Sequence, residues 1–201
     1  EEANSVLPPN SWGYNPDGQH SSFDLVKAKQ LLDEAGYPNG FSLDIWAMPV
    51  QRLYNPNALK MAELLQADLA KIGVSANIVS FEWNTFRRKL RAGEHDSVLI
   101  GWTADNADPD NFLRPLLSCA SAISGSNRTN WCDSQYDQLI ADAVLTADVT
   151  KRRQLYFLAQ DYVAEQVPLI PIAHSRRFQV KSSKVTGMQI NPYGGISFTA
   201  A

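Results

Sequence analysis

Phe41-Ser-Leu-Asp-Ile-Trp-Ala-Met48, Pro49-Val-Gln-Arg-Leu-Tyr54 and Asn55-Pro-Asn-Ala-Leu-Lys-Met-Ala-Glu-Leu-Leu-Gln-Ala-Asp-Leu-Ala-Lys-Ile-Gly73 decide the fold. Apolar residues alternate at Phe41, Leu43 and Ile45, the period of a strand with one buried face. The six residues after Met48 lack either period and form a loop. Asn55-Pro56 then starts a helix, Asn as cap and Pro in the first turn, with an apolar stripe at Leu59, Ala62, Leu65, Leu69 and Ile72. Gly73 stops it, and Val74, Ala76 and Ile78 restore the period of two up to Phe81. Strand, helix and strand in this order predict a βαβ unit and an α/β class.

The pattern continues outward. Asp24 caps a helix with apolar residues Leu25, Ala28, Leu31, Leu32 and Ala35, ended by Gly36. Glu82 to Arg91 is a short basic helix, and Ser97 to Trp102 a buried strand. Asp133 caps a helix from Ser134 to Leu145, and Thr150 to Gln166 forms another, ended by Pro168. Leu169–Ala173, Arg177–Val180 and Val185–Ile190 carry strand patterns, which makes the expected sheet mixed and flanked by helices. Residues 1–201 form a single lobe without repeats or a low-complexity linker.

Composition excludes several function classes. Apolar residues make up 44% and charged residues 19% of the 201, which supports a core and argues against disorder. No apolar run approaches the ~20 residues that span a bilayer. With 18 basic against 21 acidic residues there is no basic field for nucleic acid. Cys119 and Cys132 enclose a flexible Ser-, Gly- and Asn-rich segment, and either a disulfide or two buried thiols fits them. Two cysteines at this spacing lack the second ligand pair of a metal site.

Catalytic motifs are missing from the sequence. His20, His95 and His174 share no short motif, and there is neither a Gly-x-Ser-x-Gly elbow nor a Walker loop. Asn127-Arg128-Thr129 matches a glycosylation sequon. Two loops stand out instead. Met48–Tyr54 carries Arg52 among apolar residues, and Gly101-Trp-Thr-Ala-Asp-Asn-Ala-Asp-Pro-Asp-Asn111 carries carboxylates after a strand. Ligand sites of open α/β sheets gather at the carboxyl ends of strands. An Arg on one loop and an Asp on the other suit a zwitterion. Two solvated loops with an ordinary surface Arg and turn-forming Asp residues fit the same composition.

The residues Ile45-Trp-Ala-Met-Pro-Val-Gln-Arg-Leu-Tyr-Asn-Pro-Asn57, Gly101-Trp102-Thr103 with Asp105 and Asp108-Pro-Asp-Asn-Phe112, and Leu117-Ser-Cys119 with Asn130-Trp-Cys132 resemble the periplasmic dipeptide-, oligopeptide- and nickel-type binding proteins of ABC importers. The likeness runs in order from about Leu7 to the C-terminus. The tail, Pro168-Leu-Ile-Pro-Ile-Ala-His174 and Asn191-Pro-Tyr-Gly-Gly195, is similar to the Sap-type branch associated with antimicrobial-peptide resistance.

The resemblance implies one lobe, the C-terminal one, of a two-lobed type II receptor that traps its ligand between lobes and passes it to an inner-membrane permease. It implies an excised domain, with the N-terminal lobe and the signal peptide outside the chain. It places Asp105 at the α-ammonium of a bound short peptide, Arg52 at its carboxylate, Trp102 in the pocket wall, and Cys119 with Cys132 in a disulfide. A periplasmic location follows, with no cofactor, metal, catalysis or nucleic-acid partner. The chain departs from the dipeptide pattern in its tail and in the basic helix Phe86-Arg-Arg-Lys-Leu-Arg91. The alternatives are a non-peptide ligand in the same family (haem, nickel or an oligosaccharide), an antimicrobial peptide, a peptide hydrolase, and an interaction protein that binds a macromolecule.

Overall fold

The computed structural model describes residues 1–188 apart from 21, 177 and 179. Among the described residues ten elements follow one another: α1 (Leu25–Glu34), β1 (Ser42–Ala47), α2 (Ala58–Ala70), β2 (Ser75–Val79), α3 (Trp83–Arg91), β3 (Ser97–Leu99), α4 (Asp110–Leu117), α5 (Cys119–Ser124), α6 (Ser134–Leu145) and α7 (Val149–Gln166). The sheet order is β2-β1-β3, with β1 parallel to both neighbours, Trp46 level with Val79 and Ala47 level with Leu99. All three strands therefore end on one edge.

Local chemistry sets the boundaries. The Asp24 carboxylate accepts from the Lys27 amide at 2.9 Å and starts α1. Asn57, not Asn55, caps α2, accepting from the Lys60 amide at 3.0 Å. Pro56 precedes that cap rather than following it, and the buried Asn55 accepts from the Asn57 amide at 3.1 Å. Gly40 adopts φ +72°, and a Cβ there would stand 1.8 Å from the Gly73 carbonyl oxygen. No side chain fits where the entry to β1 meets the turn before β2.

Two cores result. Ile45, Trp46, Ala47 and Met48 of the central strand pack with Ala58, Ala62, Phe86 and Leu90 in the first. Leu7, Leu113, Leu117, Tyr136, Ile140, Tyr156 and Ala159 form the second, between α4, α6 and α7. The Tyr136 hydroxyl donates to the Leu113 carbonyl at 2.9 Å inside it, so its polar tip is satisfied.

Several sequence expectations change. α1 forms as the sequence predicts, but it buries none of its residues despite its apolar Leu25, Ala28, Leu31 and Leu32. The sheet of the described residues is parallel throughout. Leu169–Ala173 is not a strand; it contributes one antiparallel bridge, Ala173 with Glu2. Pro168 and Pro171 supply no amide donors for a ladder. Val185 to Met188 is not strand, and residues 177, 179, 189 and 190 of the last two expected strands lie outside the described residues. So does the tail segment Asn191–Gly195.

Cys119 and Cys132 are joined by a disulfide, their Cα atoms 4.4 Å apart. The enclosed segment is built rather than flexible. α5 begins inside it, capped by Ser118, and the buried Asn127 donates to the carbonyls of Ser118 (3.2 Å) and Trp131 (2.9 Å). Its amide oxygen accepts from the Thr129 amide and hydroxyl. At 1% exposure Asn127 is closed to the glycosylation that its sequon allows.

Candidate ligand-binding site

Met48–Tyr54 leaves the end of β1, and residues 100–109 leave the end of β3. Since the strands are parallel neighbours, both loops rise from the same edge of the sheet. The two touch directly. A Cβ on Gly101 would lie 2.5 Å from Cδ2 of Tyr54, so the glycine lets the second loop rest on the first loop's aromatic ring.

The first loop is a tight turn in which Arg52 and Asn55 exchange backbone hydrogen bonds of 3.0 and 3.1 Å. This turn leaves Arg52 exposed, and its guanidinium lies over the ring of Trp83 at 4.5 Å from the centroid. Trp83 stacks in turn on the fully buried Phe86. Half-burial raises the pKa of the neighbouring Tyr54 hydroxyl, and the positive charge of Arg52 partly offsets that rise.

The second loop carries Asp105 and Asp108, Asp110 opens α4 directly after it, and the structure sorts the three. Arg152 Nη2 donates to both oxygens of Asp108, at 3.0 and 2.9 Å, and the Tyr156 hydroxyl donates to the same carboxylate at 3.1 Å. Burial and the Asp108 charge drive the Tyr156 pKa upward, which keeps the hydroxyl a proton donor. Arg114 Nε donates to both oxygens of Asp110 at 3.1 and 2.9 Å. Asp105 is different. Its backbone amide donates to the Asn111 side-chain oxygen at 2.8 Å, and its own carboxylate is exposed and in no ion pair of the described residues. Of the three acids, Asp105 alone is in no ion pair among the described residues.

Trp102 is half-buried, and its indole Nε1 is buried with no hydrogen-bond partner among the described residues. It lines an open cleft of about 920 Å³ that also takes in Tyr54, Thr103, Ile100 and Ile172. Neither Arg52 nor Asp105 belongs to that lining. The structure therefore places Trp102 in a cleft wall and the two charged residues on the sheet-end loops beside it. Neither Arg52 nor Asp105 takes part in an ion pair among the described residues, with each other or with any other group. Among the described residues no three His, Cys, Asp or Glu side chains converge as metal ligands.

Trp83, Asn111 and Arg152 support the site, and sequence reasoning did not single them out. Trp83 had a faint signal as an aromatic at the start of a basic helix. Arg152 had none, because its partner lies 44 residues away.

Arg52 and Asp105 thus stand on adjacent strand-end loops of a parallel sheet, and neither takes part in an ion pair among the described residues. The chain belongs to the bacterial extracellular solute-binding proteins, family 5, whose model for the middle region matches residues 1–124. It is 49% identical over 192 residues to the dipeptide-binding protein of Escherichia coli K12, covering 96% of this chain and 36% of that protein. It is 46% identical to heme-binding protein A of Haemophilus influenzae, with 98% of this chain and 36% of that protein covered. The crystal structure of a dipeptide-binding protein from Pseudoalteromonas sp. SM9913 in complex with Met-Leu superposes with a TM-score of 0.91 at 53% identity, covering 99% of this chain and 39% of that one. The chain thus spans little more than a third of these relatives.

Proposed function

We propose that the chain is the C-terminal lobe of an extracytoplasmic ABC-importer subunit. It binds short peptides without covalent chemistry and delivers them to a permease in the inner membrane. Asp105 receives the peptide ammonium, Arg52 the carboxylate, and Trp102 forms pocket wall. The observation that carries this reading is the sorting of the acidic loop: Asp108 and Asp110 are held by Arg152 and Arg114, while Asp105 is exposed and free. The relatives named for dipeptides, and the neighbour holding Met-Leu, support the same ligand class. The disulfide fits an oxidising compartment such as the periplasm.

The physics needs no catalyst. Closure of a second lobe over the peptide expels water and strengthens both charge pairs. A peptide with one end capped leaves a buried charge unpaired, which costs several kcal/mol. Two fixed charges therefore measure ligand length, and water around the side chains accommodates varied sequences.

Calorimetry on the intact protein tests this with Ala-Leu, its N-acetyl form and its C-terminal amide. Free Ala-Leu is expected to bind saturably, and each cap to weaken binding by about 100-fold. Equal affinity for all three, or saturable binding of haem with no peptide binding, contradicts the proposal.

A further inference from the structure

Trp83 holds a second cation. The Arg87 guanidinium lies 5.9 Å from the same indole centroid that Arg52 covers at 4.5 Å. Both arginines are exposed, and neither takes part in an ion pair among the described residues. The nearest acid in sequence, Glu82, is committed elsewhere: its carboxylate caps α3, accepting from the Asn84 and Thr85 amides. Arg91 and Arg128 extend the positive surface. The side chains of these two meet over Gly125, where a Cβ would stand 3.0 Å from Arg91 Cγ and 3.5 Å from Arg128 Nη1. Arg87 and Arg91 both add to the lowering of the Arg128 pKa, which starts from burial.

Two guanidiniums on one ring repel each other, and the indole face only partly offsets this. Basic residues in the last turn of α3 suit the helix dipole, which accounts for Arg88 and Arg91. Arg87 lies outside that turn and turns toward Trp83. We infer that Arg87 is a specificity-determining residue of the proposed peptide site, favouring ligands with a second negative charge at the carboxylate end, such as dipeptides ending in Glu or Asp. The α-carboxylate takes the Arg52 fork, and the side-chain carboxylate relieves the neighbouring cation. The inference rests on the assignment of Arg52 to the ligand carboxylate.

Ala-Glu and Ala-Gln differ in one charge and hardly in shape. In calorimetry on the intact protein, Ala-Glu is expected to bind about fivefold tighter, a typical scale for a solvent-accessible ion pair. In Arg87→Gln the ratio should fall to about one. Equal affinity in the unaltered protein, or an unchanged ratio in Arg87→Gln, overturns the inference and leaves the peptide reading intact. Failure of both dipeptides to bind overturns the peptide reading itself.

Discussion

Arg52 and Asp105 stand on loops from the same sheet edge, yet they are held in different ways. Arg52 stands on an exposed turn beside the sheet core, its charge resting on the face of Trp83, which packs against that core. Asp105 belongs to a loop tied into the helical core, where Asp108 is gripped by Arg152 and Tyr156 of α7. Pro109 presses against Gly13, where a Cβ would lie 2.5 Å from its ring. Arg52 rests on an aromatic face, while the loop of Asp105 is held by charged hydrogen bonds to its neighbour Asp108. A receptor that accepts many peptides needs a fixed reference at one end and tolerance at the other. On the proposed reading, the Asp105 loop is the fixed reference and Arg52 the tolerant end.

The largest way to break the contrast is Asp108→Ala. It leaves Arg152 and the Tyr156 hydroxyl without their acceptor. Removing one partner of a buried pair costs about 3–5 kcal/mol, and partial exposure of both side chains lowers the expectation to about 2 kcal/mol. Urea unfolding measures the stability loss. At temperatures where the variant stays folded, affinity for free-amine peptides should fall while the loss on C-terminal amidation is unchanged. A variant with unaltered stability would show that the loop is not tied down through Asp108.

A smaller effect is expected on the Arg52 side. Trp83→Ala removes the platform under Arg52 and should weaken peptides with a free carboxylate by about tenfold, with little change for C-amides. Trp83→Phe keeps an aromatic face and should restore most of the affinity. Equal losses for acids and amides would mean that Trp83 serves packing against Phe86 and not the orientation of Arg52.

Much of this was legible in the residues, for local reasons. Period-two and period-3.6 patterns located β1, α2, β2, α6 and α7, because each element buries one face. No periodic pattern marks α4, and α5 lies in the segment between the cysteines that is expected to be flexible. They are 8 and 6 residues long, open on Asp-Asn and Cys-Ala-Ser, and α4 contains Pro115, so periodicity has too few turns to register. Leu169–Ala173 has the apolar content of a strand, but its prolines leave one bridge. Both anchor loops were visible as charged interruptions after strands. What could not be read was which acid stays free, since Asp108 is claimed from 44 residues away. The stacking of Arg52 on Trp83 likewise joins residues 31 positions apart and is set by tertiary packing, whereas Arg87 reaches the same ring as an i,i+4 neighbour on α3.

The central claim is that the carboxylate of Asp105 receives the peptide's ammonium group. Asp105→Asn keeps the shape, and the Asn111 bond to the backbone amide can still form, so the substitution removes the charge alone. Calorimetry on the intact protein should show affinity for free Ala-Leu falling about 100-fold, while the weak affinity for N-acetyl-Ala-Leu stays within about twofold. An equal fall for both ligands, or no fall for the free peptide, would contradict the assignment.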